Sequence, residues 1–170
     1  MDYLGNTELI KLQKTAFFAP GKISPSSVLP CYDWANEMVR QGQCVISGFK
    51  SKLERDVWNF LIKGSQPIIL VQSRKRHRSV RKELEDLIKS GRLLIVYLDK
   101  CDERSPYASK HRNEYIATIA DKIIFASINK DSSLFPIYQK YKSKSAIITE
   151  IMHSQTKPTR GQNANFSLKG

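Results

Sequence analysis

The chain has 170 residues, with 28 Lys and Arg against 16 Asp and Glu, which gives a formal net charge of +12. Apolar residues make up 41% of it, enough for the core of one domain and too many for a disordered polymer. It contains no apolar run near the roughly 20 residues that cross a bilayer, no secretory signal and no CxxC pair, so we expect a cytoplasmic protein without a membrane partner.

Short apolar runs alternate with amphipathic stretches, a pattern typical of a parallel sheet covered by helices. The pattern predicts strands at residues 15–19, 44–47, 67–71, 93–97, 123–126 and 146–149. Helices are predicted between these strands, at residues 33–41, 53–63, 79–90, 112–120 and 132–141. We therefore predict an α/β fold with a three-layer, Rossmann-like, doubly wound and mostly parallel sheet of about five to seven strands.

The charge is distributed unevenly along one predicted domain, residues 1–150. Residues 1–14 carry as many acids as bases and are expected to pack on the domain as an N-terminal extension. Residues 151–170 have few apolar side chains and no acid, which predicts a flexible basic tail. The largest basic cluster, residues 72–92, holds eight bases against three acids and begins where a predicted strand ends. This excess favours a polyanionic partner.

In a doubly wound sheet, ligands bind outside the carboxyl ends of the strands. Glycine after the second predicted strand lets a ligand approach the backbone, and the amides of the following helix start favour an anion. Lysines, arginines and hydroxyls in the neighbouring loops suit phosphate oxygens, and Asn113 caps a helix or holds a loop. The candidate phosphate-binding or nucleic-acid-binding residues are therefore Lys22, Ser24, Ser47, Gly48, Lys50, Ser51, Arg74, Arg76, Lys110, Arg112 and Asn113.

Neither a catalytic nor a metal-binding pattern is present. The three histidines lack partners at metal-ligand spacing, and the GxGxxG, GxxxxGK[ST] and GxSxG motifs are absent. Asp99, Asp102 and Glu103 could hold a magnesium ion, but three acids in a polar loop are more typical of a solvated turn. We expect no catalytic residue, no metal and no cofactor.

Three motifs resemble the DprA/Smf family of DNA-processing proteins, and among them the short, stand-alone Rossmann proteins of the SLOG superfamily. Ser47-Gly48-Phe49 with Leu53-Glu54 corresponds to the family's Ser-Gly-x-x-x-Gly-Ile-Asp turn. His111-Arg112-Asn113-Glu114-Tyr115-Ile116 with Ile119-Ala120-Asp121 corresponds to Arg-Asn-Arg-Ile-Ile-Ala-Gly-Leu-Ser-Asp, and Ala19-Pro20-Gly21-Lys22 to Gly-Ser-Arg-Lys. The similarity runs from about residue 15 to residue 150.

The resemblance implies a protein that binds single-stranded DNA or another nucleotide-derived ligand, without catalysis, in DNA processing, DNA uptake or a related defence. It also implies a homodimer, because the family's Rossmann domains often pair. Phe49, Tyr97 or Tyr107 would stack a base. The phosphoribohydrolase signature Pro-Gly-Gly-x-Gly-Thr-x-x-Glu of related enzymes is absent.

Two other interpretations stay open. One is a nucleotide-processing hydrolase of the phosphoribohydrolase type, with Glu54 or Asp102 as its base. The other is a protein-interaction module that has kept the fold and lost the ligand. It is favoured by Gly21, where the family has an arginine, and by Lys52, where the family has a glycine.

Overall fold

The computed structural model describes residues 1–98 and 104–155, with side chains as far as residue 151. Its seven strands are β1 (Asp2–Gly5), β2 (Lys14–Phe18), β3 (Cys44–Ser47), β4 (Ile68–Gln72), β5 (Leu93–Tyr97), β6 (Lys122–Phe125) and β7 (Ser145–Ile147). Its α-helices are α1 (Val28–Gln41), α2 (Lys52–Leu61), α3 (Lys82–Lys89), α4 (Pro106–Ile119), α5 (Phe135–Lys140) and α6 (Ile148–Gln155). Short 3₁₀ turns cover Thr7–Lys11, Pro25–Ser27 and Lys142–Lys144.

The strands form one sheet in the order β1-β5-β4-β3-β2-β6-β7. Every neighbouring pair is parallel except β1 and β5, which run antiparallel. The chain builds outward from β2 to β5 and then returns to add β6 and β7 on the other side of β2. The strand order therefore reverses between β2 and β6, as it does in a doubly wound fold. The predicted fold class is confirmed.

Both faces of the sheet are covered by helices, which explains why its strands are continuous apolar runs. In β5, Leu93, Ile95 and Tyr97 face a core cluster formed with α1, α2, α3 and α6. Leu94 and Val96 point the other way, into a second cluster formed with α4 and α5. The result is the predicted three-layer arrangement.

The main differences from the predicted elements are an additional strand, two earlier helix starts and a last strand that gives way to a helix. The N-terminal segment contributes the edge strand β1, which was missed because only four residues pair with β5. Helix α1 begins at Val28 and helix α4 at Pro106, both earlier than predicted; Ser105 accepts a hydrogen bond from the Tyr107 amide, and proline suits the first helical turn. The last strand ends at Ile147, where α6 begins, so residues 151–155 of the predicted tail are helical. Residues 156–170 lie outside the described part.

No helix in the described part of the chain is long and apolar enough to cross a membrane.

At the amino edge of the sheet, Asp121 joins β2 to β6. Its carboxylate accepts a hydrogen bond from the Lys14 amide at 2.8 Å, and its own amide donates to the Lys14 carbonyl at 2.9 Å. The Lys14 ammonium lies 3.6 Å from the same carboxylate. The hydrogen bond from the Lys14 amide, together with the nearby ammonium, holds the pKa of Asp121 below its ordinary value. Asp121, the last residue of the second motif, therefore has a structural role.

Replacing Asp121 with Asn keeps an acceptor for the Lys14 amide and removes the charge. Folding lowers the pKa of Asp121, so its charge stabilises the fold. This contribution is complete above the pKa that Asp121 has in the unfolded chain. It is lost as the pH falls through the lowered pKa of the folded state. We expect Asp121→Asn to lower the free energy of unfolding near neutral pH by about 1 kcal/mol or less, since the group is half-exposed. Urea unfolding between neutral pH and about pH 3 should show this difference shrinking in acid. Asp131→Asn, at an exposed site, is the control, and an equal loss at every pH would contradict the charge argument.

Candidate nucleic-acid interface

A groove with a volume of about 940 Å³ opens between α2 and α3, outside the carboxyl ends of β3, β4 and β5. We call it the α2/α3 groove. Two acids, Asp56 and Glu83, line it. The basic and imidazole side chains that line it are Lys50, Lys52, Arg55, Arg74, His77 and Arg81. The groove therefore carries a positive electrostatic excess at the edge where this architecture binds ligands.

Apolar side chains form the floor of the groove. Phe49 and Trp58 meet edge to face with their ring centroids 5.0 Å apart, and both are buried. Tyr97 lies at the end of β5 and is also buried. Burial raises the pKa of the Tyr97 hydroxyl, while Arg74 and Arg76 act in the opposite direction. Phe49 and Tyr97 are thus not exposed enough in this conformation to stack on a base, whereas Tyr107 is 73% exposed.

Glu54 joins the loop after β2 to the loop after β3. Its buried carboxylate accepts hydrogen bonds from the amides of Ala19 at 3.0 Å, Lys50 at 2.7 Å and Ser51 at 3.2 Å. The Ser51 hydroxyl completes the capping box by accepting from the Glu54 amide. Two amides that were expected to face a phosphate therefore already donate to Glu54. Lys50 therefore offers an anion its side chain and not its amide.

Gly48 is required because Arg112 lies against its backbone. A Cβ atom at this position would come within 2.4 Å of Arg112 Nε and 2.8 Å of its Cδ. Arg112 projects from α4 and is only 7% exposed, so it has little room to move. The approach that was predicted for a ligand at this glycine is made by Arg112 of the chain itself.

No family model matches the chain, and no characterised protein matches it by sequence. Solved structures do match. DNA processing protein A (DprA) from Streptococcus pneumoniae superposes with a TM-score of 0.67 and 14% identity, over 91% of this chain and 61% of its own. DprA from Helicobacter pylori is described for its mode of binding single-stranded DNA. It superposes with a TM-score of 0.64 and 17% identity, over 90% of this chain and 77% of its own. The molybdenum cofactor binding protein of Rippkaea orientalis superposes with a TM-score of 0.55 and 11% identity, over 84% of this chain and 83% of its own.

The chain has the DprA fold. The resemblance carried by the three loop motifs is thus confirmed at the level of the fold, which is what structural likeness at such low identity shows. The chain spans 61% of the length of the pneumococcal DprA chain.

The structure places some of the candidate residues in the α2/α3 groove and others around it. Gly48, Lys50 and Arg74 line the groove. Ser47 is fully buried, and its hydroxyl accepts from the Phe49 amide at 3.2 Å, so it is not available to a ligand in this conformation. Ser51 is used as the helix cap.

The other candidates lie outside the groove. Lys22 and Ser24 are exposed on the loop after β2, where Ser24 Oγ lies 2.9 Å from Ser26 Oγ. Arg76 lies 3.9 Å from the Asp2 carboxylate. Lys110 is exposed, and Asn113 is half-buried in the middle of α4. The expectation that Asn113 caps a helix or holds a loop was therefore wrong, because α4 begins at Pro106.

Three basic residues of the groove were not among the candidate site residues. Lys52 and Arg55 lie on α2, and Arg81 directly precedes α3. Lys52, Arg55 and Asn59 have the i, i+3, i+7 spacing of a single helix face. Because this helix starts at the carboxyl edge of the sheet, that spacing is the sequence signal that indicates a binding face on α2.

Residues with nucleophilic or metal-binding chemistry do not converge here. The described residues contain no group of three or more His, Cys, Asp or Glu that could hold a metal ion. Burial raises the pKa of both the Cys31 and the Cys44 thiols to about 12, so neither is a thiolate at neutral pH. Both cysteines are buried.

Gly48→Ala tests the contact with Arg112. The new Cβ must displace a buried side chain, so we expect a loss of about 1–3 kcal/mol in the free energy of unfolding. In an Arg112→Ala background the same change should cost at least about 1 kcal/mol less, because the obstructing atoms are gone. Denaturant melts of the four proteins of this double-mutant cycle measure the coupling.

Gly21→Ala is the matched control, since a Cβ there would meet nothing within 4 Å. We expect it to change the stability by no more than about 0.5 kcal/mol. Additive effects of Gly48→Ala and Arg112→Ala would show that the two residues do not constrain each other.

Proposed function

We propose that the chain binds single-stranded DNA, or a nucleotide-derived ligand with the same phosphate chemistry, in the α2/α3 groove and without catalysing a reaction. One observation carries this proposal: five Lys and Arg side chains line a groove at the carboxyl edge of the sheet, against two acids. Such a concentration of cations favours a phosphate backbone by releasing its counterions. The DprA of Helicobacter pylori, which shares the fold, is described as binding single-stranded DNA.

The cations of the groove are directed by local hydrogen bonds. Arg55 donates from Nη1 to the Lys50 carbonyl at 2.5 Å, and Arg74 donates from Nε to Gln72 Oε1 at 2.9 Å. These contacts use part of each guanidinium and leave the rest of a five-donor group for phosphate oxygens. The rim of the groove is therefore partly ordered before a ligand arrives, which lowers the entropic cost of binding.

A hydrolase is less well supported. Glu54, one of the two candidate bases, is buried and accepts three backbone amides, which is the role of a structural carboxylate. Asp102, the other candidate, lies outside the described residues. In the groove itself, the Asp56 carboxylate accepts from the Tyr32 hydroxyl at 2.9 Å and from the Lys52 ammonium at 3.3 Å. We therefore place binding ahead of catalysis, and ahead of a module without a ligand, because the groove is open.

Charge removal inside and outside the groove tests the proposal. Lys52→Ala/Arg55→Ala/Arg81→Ala should weaken binding of a fluorescein-labelled oligothymidylate at least about 10-fold near 0.1 M salt. If all three side chains contact phosphates, the slope of log affinity against log salt should also fall in magnitude by about 2, at roughly 0.7 per contact on a single strand. Fluorescence anisotropy across a salt series measures both quantities.

The matched control is Lys63→Ala/Lys89→Ala/Lys122→Ala. It removes the same charge from exposed sites at the amino edge, where α2 and α3 end and β6 begins. We expect it to retain the affinity of the wild type within about threefold, allowing for the change in net charge. Equal weakening by both triple variants would mean that binding depends on net charge alone. A wild-type affinity that does not change across the salt series would refute phosphate binding. Release of free base from nucleoside monophosphates would refute the non-catalytic part.

A further inference from the structure

Tyr107 is 73% exposed, more than any other large apolar side chain in the part of the chain that the structure describes. It lies in the first turn of α4, and Lys110 and His111 follow at the i+3 and i+4 positions, where they are exposed on the same face of the helix. Ala108 and Arg112 turn inward. We call Tyr107, Lys110 and His111 the α4 patch. It presents an aromatic ring next to a cation and an imidazole.

The α4 patch is held close to the basic loop that follows β4. The buried hydroxyl of Ser73 donates to the carbonyl of Ala108 at 2.8 Å. Arg74 follows Ser73 in the chain, and Tyr107 precedes Ala108. Their Cα atoms are therefore at most about 15 Å apart, given 3.8 Å for each Cα step and the reach of the bonded side chain and carbonyl. Because Arg74 lines the α2/α3 groove, the groove and the patch are neighbours at one edge of the sheet.

Five basic or imidazole side chains follow Ser73 in the loop after β4. Arg74, Lys75, Arg76, His77 and Arg78 follow each other without a break, and all are exposed. Arg74 and His77 belong to the lining of the groove. Arg74 also follows the residue that is hydrogen-bonded to the first turn of α4, so it places a cation between the groove and the α4 patch.

We propose that the α4 patch is a second contact for the same single strand, with Tyr107 stacking on a base and Lys110 binding a phosphate beside it. The strand then leaves the α2/α3 groove, passes Arg74 and crosses the carboxyl edge to the face of the sheet that α4 covers. This inference rests on the proposed function, because it extends the path of the same ligand. Stacking accepts any base, so the contact adds affinity without selecting a sequence.

The length of the strand separates the two sites experimentally. An oligothymidylate of about five nucleotides can occupy the groove alone, whereas one of about 20 nucleotides exceeds a site of typical size and can reach both. We expect Tyr107→Ala to weaken binding of the long strand by roughly 5- to 100-fold, the usual effect of removing one stacking ring, and to leave the short strand unchanged. Tyr107→Phe keeps the ring and should bind both strands like the wild type.

Leu29→Ala is the matched control, since Leu29 is 69% exposed on α1 and carries no ring. Cross-linking of a long strand substituted with 5-iodouracil should label Tyr107, which a structural role for the residue would not predict. Wild-type affinity of Tyr107→Ala for the long strand would overturn the inference and leave the groove proposal standing. Equal weakening for both strand lengths would also overturn it. Failure of the wild type to bind either strand would refute the proposed function itself, and the inference with it.

Discussion

The buried carboxylate of Glu54 fixes the geometry on which the candidate site depends. It accepts the amide of Ala19 from one loop and the amides of Lys50 and Ser51 from the next, so two loops at the carboxyl edge cannot move independently. Three N–H dipoles replace the water that this carboxylate loses on burial, so its oxygens are hydrogen-bonded inside the protein. The turn after β3, the start of α2 and one wall of the α2/α3 groove all follow from this arrangement.

That arrangement has a consequence for recognition. Backbone amides at a helix start bind anions in many doubly wound proteins, but here the Lys50 and Ser51 amides are already satisfied. Arg112 meanwhile lies against Gly48 and occupies the space that a ligand would use to reach the backbone. In the proposed complex, phosphate would be bound by long side chains such as Lys52 and Arg55, which adapt to a flexible chain more readily than fixed amides do. A groove of this kind suits a continuous, variable polyanion better than one small, precisely held phosphate group.

The sequence predicted the fold well because its signals were strong and local. Strands 44–47 and 93–97 have the predicted bounds, since each is an apolar run bounded by a glycine and a turn. The start of α4 was missed because the polar, basic stretch before residue 112 resembles a loop, and the Ser105-Pro106 helix start was overlooked. In the site, Gly48, Lys50 and Arg74 were predicted from the loops. Lys52, Arg55 and Arg81 were not. The sequence shows that Lys52 and Arg55 share a helix face, but the groove which that face lines depends on how two helices pack.

The charge of the basic loop after β4 is balanced only in part by the fold itself. Asp2, on the edge strand β1, lies 3.9 Å from Arg76, and at half-exposed positions such a pair is worth little. Arg74 donates to the neutral amide of Gln72 and so gains a hydrogen bond without any neutralisation. Repulsion among residues 74–78 thus remains in the unbound protein, reduced chiefly by solvent and salt. A phosphate backbone along the same loop would remove that repulsion, so part of the binding free energy is already present in the free protein as unfavourable electrostatic energy.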